Sequence, residues 1–197
     1  MQLGMVKAVL VLFAMLAIAI ESRSQGVERY RDHHIRGRQL LEEGNIEGAI
    51  QQFSIAIEIM PYYSGLYQDR GNARMLKGDY ELAIEDFNRS LEKNPYKTNV
   101  YQLRGIAYFN TGQLERARLD FLKVLKDQPY NKYAQDYLSQ VEEVLNQERN
   151  ASNEQQMAEA RKIAMARQKR AEEREKMIWG VVVPMAVWTA IAWSWYQ

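Results

Sequence analysis

The side chains best able to do chemistry in this 197-residue chain are few, and their spacing argues against catalysis. The two histidines are adjacent, at His33 and His34. Neighbouring side chains on a helix diverge by about 100°, so this pair does not converge on one metal ion as an i, i+4 pair would. Cysteine is absent, which removes disulfides, thiolate metal sites, a cysteine nucleophile and a lipid-modified N-terminal cysteine. Gly4, Gly26, Gly37 and Gly44 are scattered and do not cluster after a strand, so there is no phosphate-cradling loop. No nucleophile motif is present. The 26 Lys and Arg nearly balance the 25 Asp and Glu, for a formal net charge of +1, which gives no general case for nucleic acid. These residues lead us to expect a non-enzymatic protein with no cofactor, no metal and no nucleic-acid partner.

The informative pattern is larger. Three stretches repeat one another every 34 residues. Gly37, Gly71 and Gly105 are in register, as are Gly44, Gly78 and Gly112, and Ala49, Ala83 and Ala117. Phe53, Phe87 and Phe121 follow, then Pro61, Pro95 and Pro129. A period of this length, with small residues, an aromatic and a closing proline, marks a helical-hairpin solenoid. In the second copy Tyr67, Gly71, Arg74 and Met75 fall on a first helix and Lys77-Gly78-Asp79 makes the turn. Tyr80, Ala83, Ile84, Phe87 and Leu91 then give an apolar stripe at helical spacing, which Asn94-Pro95 ends. The expected packing set is Gly37, Gly71 and Gly105 with Ala49, Ala83 and Ala117 and Phe53, Phe87 and Phe121: small residues let helices approach and the rings fill the space between them. No single hairpin can bury its own apolar face, so the three must stack.

These motifs resemble the tetratricopeptide repeat family over residues 30–131. The likeness is strongest where Tyr67, Gln68, Arg70, Gly71 and Ala73 match Tyr101, Gln102, Arg104, Gly105 and Ala107. The copies depart from the family at His33, where a bulky apolar residue is usual, at Arg74, where an aromatic is usual, and at Ser90. The resemblance implies an all-α fold of three repeats, 30–63, 64–97 and 98–131, whose first helices line a concave groove that holds a partner's peptide. By that correspondence the groove carries Arg31, His34, Arg38 and Leu41 from the first copy, Gln68, Asn72 and Met75 from the second, and Asn99, Gln102, Ile106 and Phe109 from the third. Arg31 and Arg38 are suited to a carboxylate, and Gln68, Asn72, Asn99 and Gln102 to an extended backbone. Some family members clamp the C-terminal carboxylate of chaperones. The matching positions here are His34, Arg38, Asp69, Asn99 and Leu103, and Asp69 would repel a carboxylate. A tyrosine follows each closing proline, at Tyr62, Tyr96 and Tyr130. Such a row more often staples one repeat to the next than forms an exposed binding ledge.

Outside the repeats, Ala134, Tyr137, Leu138, Val141, Val144 and Leu145 form one stripe, which reads as a capping helix over 132–148. Residues 149–177, rich in Ala, Gln, Glu, Arg and Lys without Gly or Pro, read as a charged helical stalk. Ile178 to Tyr196 is 19 residues without a charge, about 28 Å as a helix, with Trp179 at one end and Trp193, Trp195 and Tyr196 at the other. This is the pattern of a transmembrane helix with an aromatic belt. Residues 1–24 read as an export signal: Lys7, a 13-residue apolar run from Ala8 to Ile20, then Ser22-Arg23-Ser24. The alternative is an uncleaved anchor.

Arg161, Lys162, Arg167, Lys169, Arg170, Arg174 and Lys176 precede the C-terminal segment, and no charge follows it. Basic flanks usually stay cytoplasmic, whereas a signal would export the repeats to a periplasmic or luminal side. Export is the favoured reading and a cytoplasmic-facing repeat domain the alternative. Asn88-Arg89-Ser90 and Asn150-Ala151-Ser152 fit the glycosylation pattern. The functional expectation is a membrane-anchored adaptor that holds a protein partner at the bilayer surface. The alternative is a structural subunit of a larger cell-envelope complex for assembly, secretion or transport.

Overall fold

A computed structural model describes residues 15–16 and 27–196. The expected signal, 1–24, lies outside the described residues except for Met15 and Leu16. The described chain is all helical. Helix α1 covers 27–42, followed by α2 (Ile46–Ile59), α3 (Ser64–Lys77), α4 (Tyr80–Lys93), α5 (Thr98–Asn110), α6 (Leu114–Asp127) and α7 (Lys132–Met177). A π-helical turn, Ile178–Val182, leads into α8 (Val183–Ser194). The chain forms two compact units, the first ending at Glu143 and the second beginning at Val144.

In the first unit, consecutive helices pair as antiparallel hairpins and each hairpin packs on the next. Two local devices set this geometry. Gly44, Gly78 and Gly112 take φ of +80°, +91° and +72°, in the left-handed region where a β-carbon is disfavoured, and so turn each first helix into its second. The closing prolines act through the residue before them. Met60, Asn94 and Gln128 end their helices with φ of −131°, −147° and −135°, because the proline ring bars the helical conformation at the preceding position. Asn45 Oδ1 accepts from Gly48 N (2.9 Å) and Asn131 Oδ1 from Ala134 N (3.0 Å), so α2 and α7 begin on side-chain caps.

The core is a column of fully buried rings, Phe53, Phe87 and Phe121, with Ala49, Ala83 and Ala117 beside them. Each ring lies against a glycine of the same copy. A β-carbon at Gly37 would come within 2.6 Å of Phe53, at Gly71 within 2.7 Å of Phe87, and at Gly105 within 3.0 Å of Phe121. The first two distances are closer than a carbon pair tolerates and the third is tight, so the glycines set how near α1, α3 and α5 approach their partner helices. The column ends on α7, where Tyr137 stacks on Phe121 (5.4 Å between centroids, 14° between planes) and meets Phe109 edge-on at 5.8 Å. Ala134 and Val141 of the same helix are fully buried. Arg118 of α6 clasps Glu142 of α7 at 2.6 Å.

The second unit contains the rest of α7, the π-helical turn and α8. Pro184 stands at the start of α8. Proline has no N–H to give to Gly180, and its ring crowds that carbonyl. The turn before it widens, and Val183 N–H bonds to Ile178 O, five residues back. Trp179, Trp188, Trp193 and Trp195 are all exposed. By length and composition this helix is apolar enough to cross a membrane.

Candidate functional site

The groove-facing positions expected from the sequence fall on α1, α3 and α5, and the structure sorts them into two adjoining clefts. The first, of about 440 Å³, is polar and is lined by Arg38, Leu41, Glu42, Gln68, Asp69 and Asn72. The second, of about 640 Å³, is mostly apolar, with Leu41, Met75, Leu76, Tyr80, Leu103, Ile106 and Tyr137 among its walls. Leu41 and Asn72 border both. Asn72 Oδ1 is buried and accepts no hydrogen bond from the described residues.

The expected residues are not equally available. Arg38, Gln68, Asn72, Met75 and Ile106 line the clefts. Arg31 and Asn99 are exposed and line neither. Gln68 Oε1 already accepts from Lys97 Nζ at 3.1 Å, and Gln102 Oε1 from Asn131 Nδ2 at 3.0 Å. Phe109 lies against Tyr137. His34 Nε2 is bound to Asp69 Oδ2 at 2.6 Å, with its ring edge-on to Phe53 (5.9 Å) and Tyr63 (6.3 Å). Two of the five positions that match the family's carboxylate clamp therefore satisfy each other. Leu41 belongs to the expected set, but Leu76, Tyr80 and Tyr137 come from outside it, because which residues wall a cleft depends on where neighbouring helices end.

Sequence reading also missed a repeated buried ion pair. Arg70 reaches Asp86 through Nε, to Oδ2 at 3.0 Å and Oδ1 at 3.3 Å, and through Nη2, to Oδ1 at 2.7 Å. Thirty-four residues on, Arg104 repeats the Nε–Oδ2 and Nη2–Oδ1 contacts with Asp120 at 2.8 and 2.8 Å. Each arginine also gives Nη1 to the preceding hairpin, Arg70 to Ser54 Oγ (3.0 Å) and Arg104 to Asn88 Oδ1 (2.7 Å). The signal was present as opposite charges 16 residues apart in two registered copies. The first copy has Arg36 and Gln52 at these places, and Gln52 Oε1 instead accepts from His33 Nδ1 at 2.8 Å. Burial pushes the Asp120 carboxyl above the usual carboxylate range, against the pull of Arg104. Burial also opposes the charge of Arg104, yet the bond to Asp120 holds that guanidinium above its ordinary value. The geometry favours a pair that fixes how hairpins dock more than one that adds stability.

The three departures from the family pattern are likewise accounted for. His33 bonds to Gln52. Arg74 joins Asp86 at 2.9 Å and donates to Leu82 O at 3.1 Å. Ser90, fully buried, donates to Ser64 O at 2.9 Å. Since Ser90 is buried and Asn88 is held by Arg104, the Asn88 tripeptide is not displayed for glycosylation. The tyrosine row corrects another expectation in part: Tyr62, Tyr96 and Tyr130 are 79%, 89% and 95% exposed, and among the described residues only Tyr62 of the three has a ring contact with the next repeat, beneath Lys93 Nζ at 5.4 Å. The Tyr67 hydroxyl (to Pro61 O, 3.0 Å) bridges the first of those junctions, whereas Ser90 ties together the two helices of the second repeat.

Residues 64–97 and 98–131 each match a tetratricopeptide repeat family. No curated protein sequence matches the chain. Among solved structures, the first repeat domain of Spaghetti (RPAP3), bound to the HSP90 peptide SRMEEVD, is 25% identical with a TM-score of 0.59. That likeness covers 60% of this chain and 94% of that one. The first repeat domain of human RPAP3 is 25% identical (TM-score 0.58; 62% and 96% covered). The second human RPAP3 domain, in complex with the HSP70 peptide SGPTIEEVD, is 27% identical (TM-score 0.55; 61% and 98% covered). The family matches and the shared hairpin geometry together establish that this chain carries tetratricopeptide repeats, on a fold shared with domains solved in complex with HSP90 and HSP70 peptides.

Proposed function

We propose that this protein is a non-enzymatic adaptor that holds an extended peptide segment of a partner protein across the two clefts, anchored to a membrane by its C-terminal segment. The observation that carries this reading is the junction of the clefts. A polar channel lined by Arg38, Glu42, Gln68 and Asn72 opens into an apolar one walled by Leu103 and Ile106. A peptide N–H would meet the first and an apolar side chain would fill the second. The proposed organisation is a signal at 1–24, repeats over 30–131, a cap to 148, a stalk to 177 and a span over 178–196, with the repeats on the exported side. The reading as a structural subunit of an envelope complex is left as the competing outcome of the tests below.

The partner chemistry differs from that of the solved relatives. Their peptides end in acidic residues and a free carboxylate, whereas here Asp69 is locked to His34 and Leu103 offers no charge. In fluorescence anisotropy, labelled SRMEEVD is expected not to saturate the full chain below about 1 mM, weaker than about 4 kcal/mol of association. Peptides with a large apolar side chain and no acidic terminus, selected from a random library against the full chain, are expected to bind more tightly. Ile106→Lys should weaken them at least about ten-fold, since a charge would enter an apolar cleft. Leu119→Lys, at a position 62% exposed outside both clefts, should not. Equal loss in both variants, or none in Ile106→Lys, would exclude the groove and favour the structural-subunit reading. For the anchor, the chain should resist carbonate extraction from membranes, and a version ending at Met177 should be released.

A further inference from the structure

The charged part of α7 is patterned on a scale that composition hides. Arg167, Arg170 and Arg174 are spaced i, i+3 and i+7, within about 60° of one another around the helix. Lys162 and Lys169 fall on a different face, and Lys162 lies 3.8 Å from Glu159. None of the three arginines bonds to a side chain among the described residues, although Glu172, Glu173 and Glu175 share their turns. Glu172 accepts from Gln168 instead, at 3.1 Å. Ala171 leaves a shallow concave strip, flanked by the three arginines, the Gln168–Glu172 pair, Glu175 and Ile178, the first residue of the uncharged segment.

A guanidinium is a permanently charged planar fork that meets phosphate oxygens in pairs. Three of them, unpaired, converge on a strip that ends in apolar surface. That strip fits a ligand with a phosphate at one end and hydrocarbon at the other. We propose that the Arg167, Arg170 and Arg174 face binds the phosphate headgroup of an anionic phospholipid, with an acyl chain lying against Ile178 and the turns that follow. This rests on reading Ile178–Tyr196 as a membrane span.

The helix sets the order of the contributions. Arg174 precedes Ile178 by about 6 Å along the axis, Arg170 by about 12 Å and Arg167 by about 16 Å. The headgroup layer outside the hydrocarbon is on the order of 5–8 Å thick, and screening at physiological salt acts over about 8 Å. Arg174 therefore lies within the headgroups, Arg170 reaches them through its long side chain, and Arg167 acts from the edge of the screened range. Lys169 is at nearly the same height as Arg170 but faces away from the strip. Lys176, nearer the membrane, is about 200° around the helix from Arg174 and, like Lys169, faces away from the strip.

The test uses the full chain reconstituted into phosphatidylcholine vesicles with a trace of spin-labelled phosphatidylglycerol or spin-labelled phosphatidylcholine. The fraction of each label immobilised by the protein gives its relative association. The wild type should prefer the anionic label. Arg174→Gln should cut that preference by up to about five-fold, Arg170→Gln by less and Arg167→Gln least, and the triple variant should abolish it. Lys169→Gln should leave it intact, and Glu175→Gln should raise it. Equal losses from Lys169→Gln and Arg170→Gln would overturn the proposal, because the effect would then be unpatterned charge. So would an absence of preference in a wild type that floats with the vesicles after carbonate treatment, and in that case the span reading stands. A protein that carbonate strips from the vesicles overturns both.

Discussion

Asp86→Ala is expected to destabilise the first unit by about 3–5 kcal/mol, the usual effect of leaving buried charge uncompensated. Asp86 is 1% exposed and receives two guanidinium groups, from Arg70 and Arg74. Without it, Arg70 keeps one bond, to Ser54, and Arg74 keeps one, to the Leu82 carbonyl. Both side chains are only 17% exposed, so water cannot readily replace the carboxylate. Asp120→Ala should cost less, because Asp120 serves Arg104 alone and already holds its charge less readily. Removing both charges, as in Arg104→Met with Asp120→Leu, should cost less than either single change at that pair. The four tryptophans are all in the C-terminal segment, so their emission does not report on the repeats. Urea unfolding followed by far-ultraviolet circular dichroism, with hydrogen exchange to localise the loss, is the appropriate measurement. An Asp86→Ala protein within about 1 kcal/mol of wild type would show that the repeated pair is incidental to stability.

Phe121→Ala is expected to cost about 3–5 kcal/mol as well, the range for truncating a buried aromatic ring, and to act beyond its own repeat. The ring fills the space against Gly105 and is the surface on which Tyr137 stacks. Its loss should therefore speed amide exchange around Ala134 and Val141 at the start of α7, in addition to lowering global stability. Phe87→Ala removes an equivalent ring one repeat earlier and should be comparably destabilising. It should leave protection of 134–141 relative to the rest of the unit unchanged, because Phe87 has no such contact with α7. If both variants expose 134–141 equally, the start of α7 is held by the unit as a whole and not by the Phe121–Tyr137 stack.

The groove was legible only in part. Arg38, Gln68, Asn72, Met75 and Ile106 could be placed on groove-facing helices because helical phase is a local property. Whether a side chain there is free is not local. His34 and Asp69 are 35 residues apart in sequence and 2.6 Å apart in space, and Gln68 and Gln102 are each held by a residue 29 positions away. The tyrosine row failed for the same reason. Its chemistry suits either burial or exposure, and only the positions of the neighbouring hairpins decide which.

By itself the sequence determined the hairpin fold. Turn glycines, closing prolines and the alternation of small residue with aromatic each act within a few residues and recur three times, so every copy repeats the same local instruction. It also determined that the C-terminal segment is uncharged and bounded by tryptophan. Tertiary structure alone decided which polar side chains of the groove are already satisfied and where the apolar cleft opens. It alone decided, too, that Arg70 and Arg104 belong to the junctions between hairpins. Those outcomes depend on pairs brought together by the stacking of repeats, and the free energy of a pair is set by distance and burial, neither of which the order of residues states.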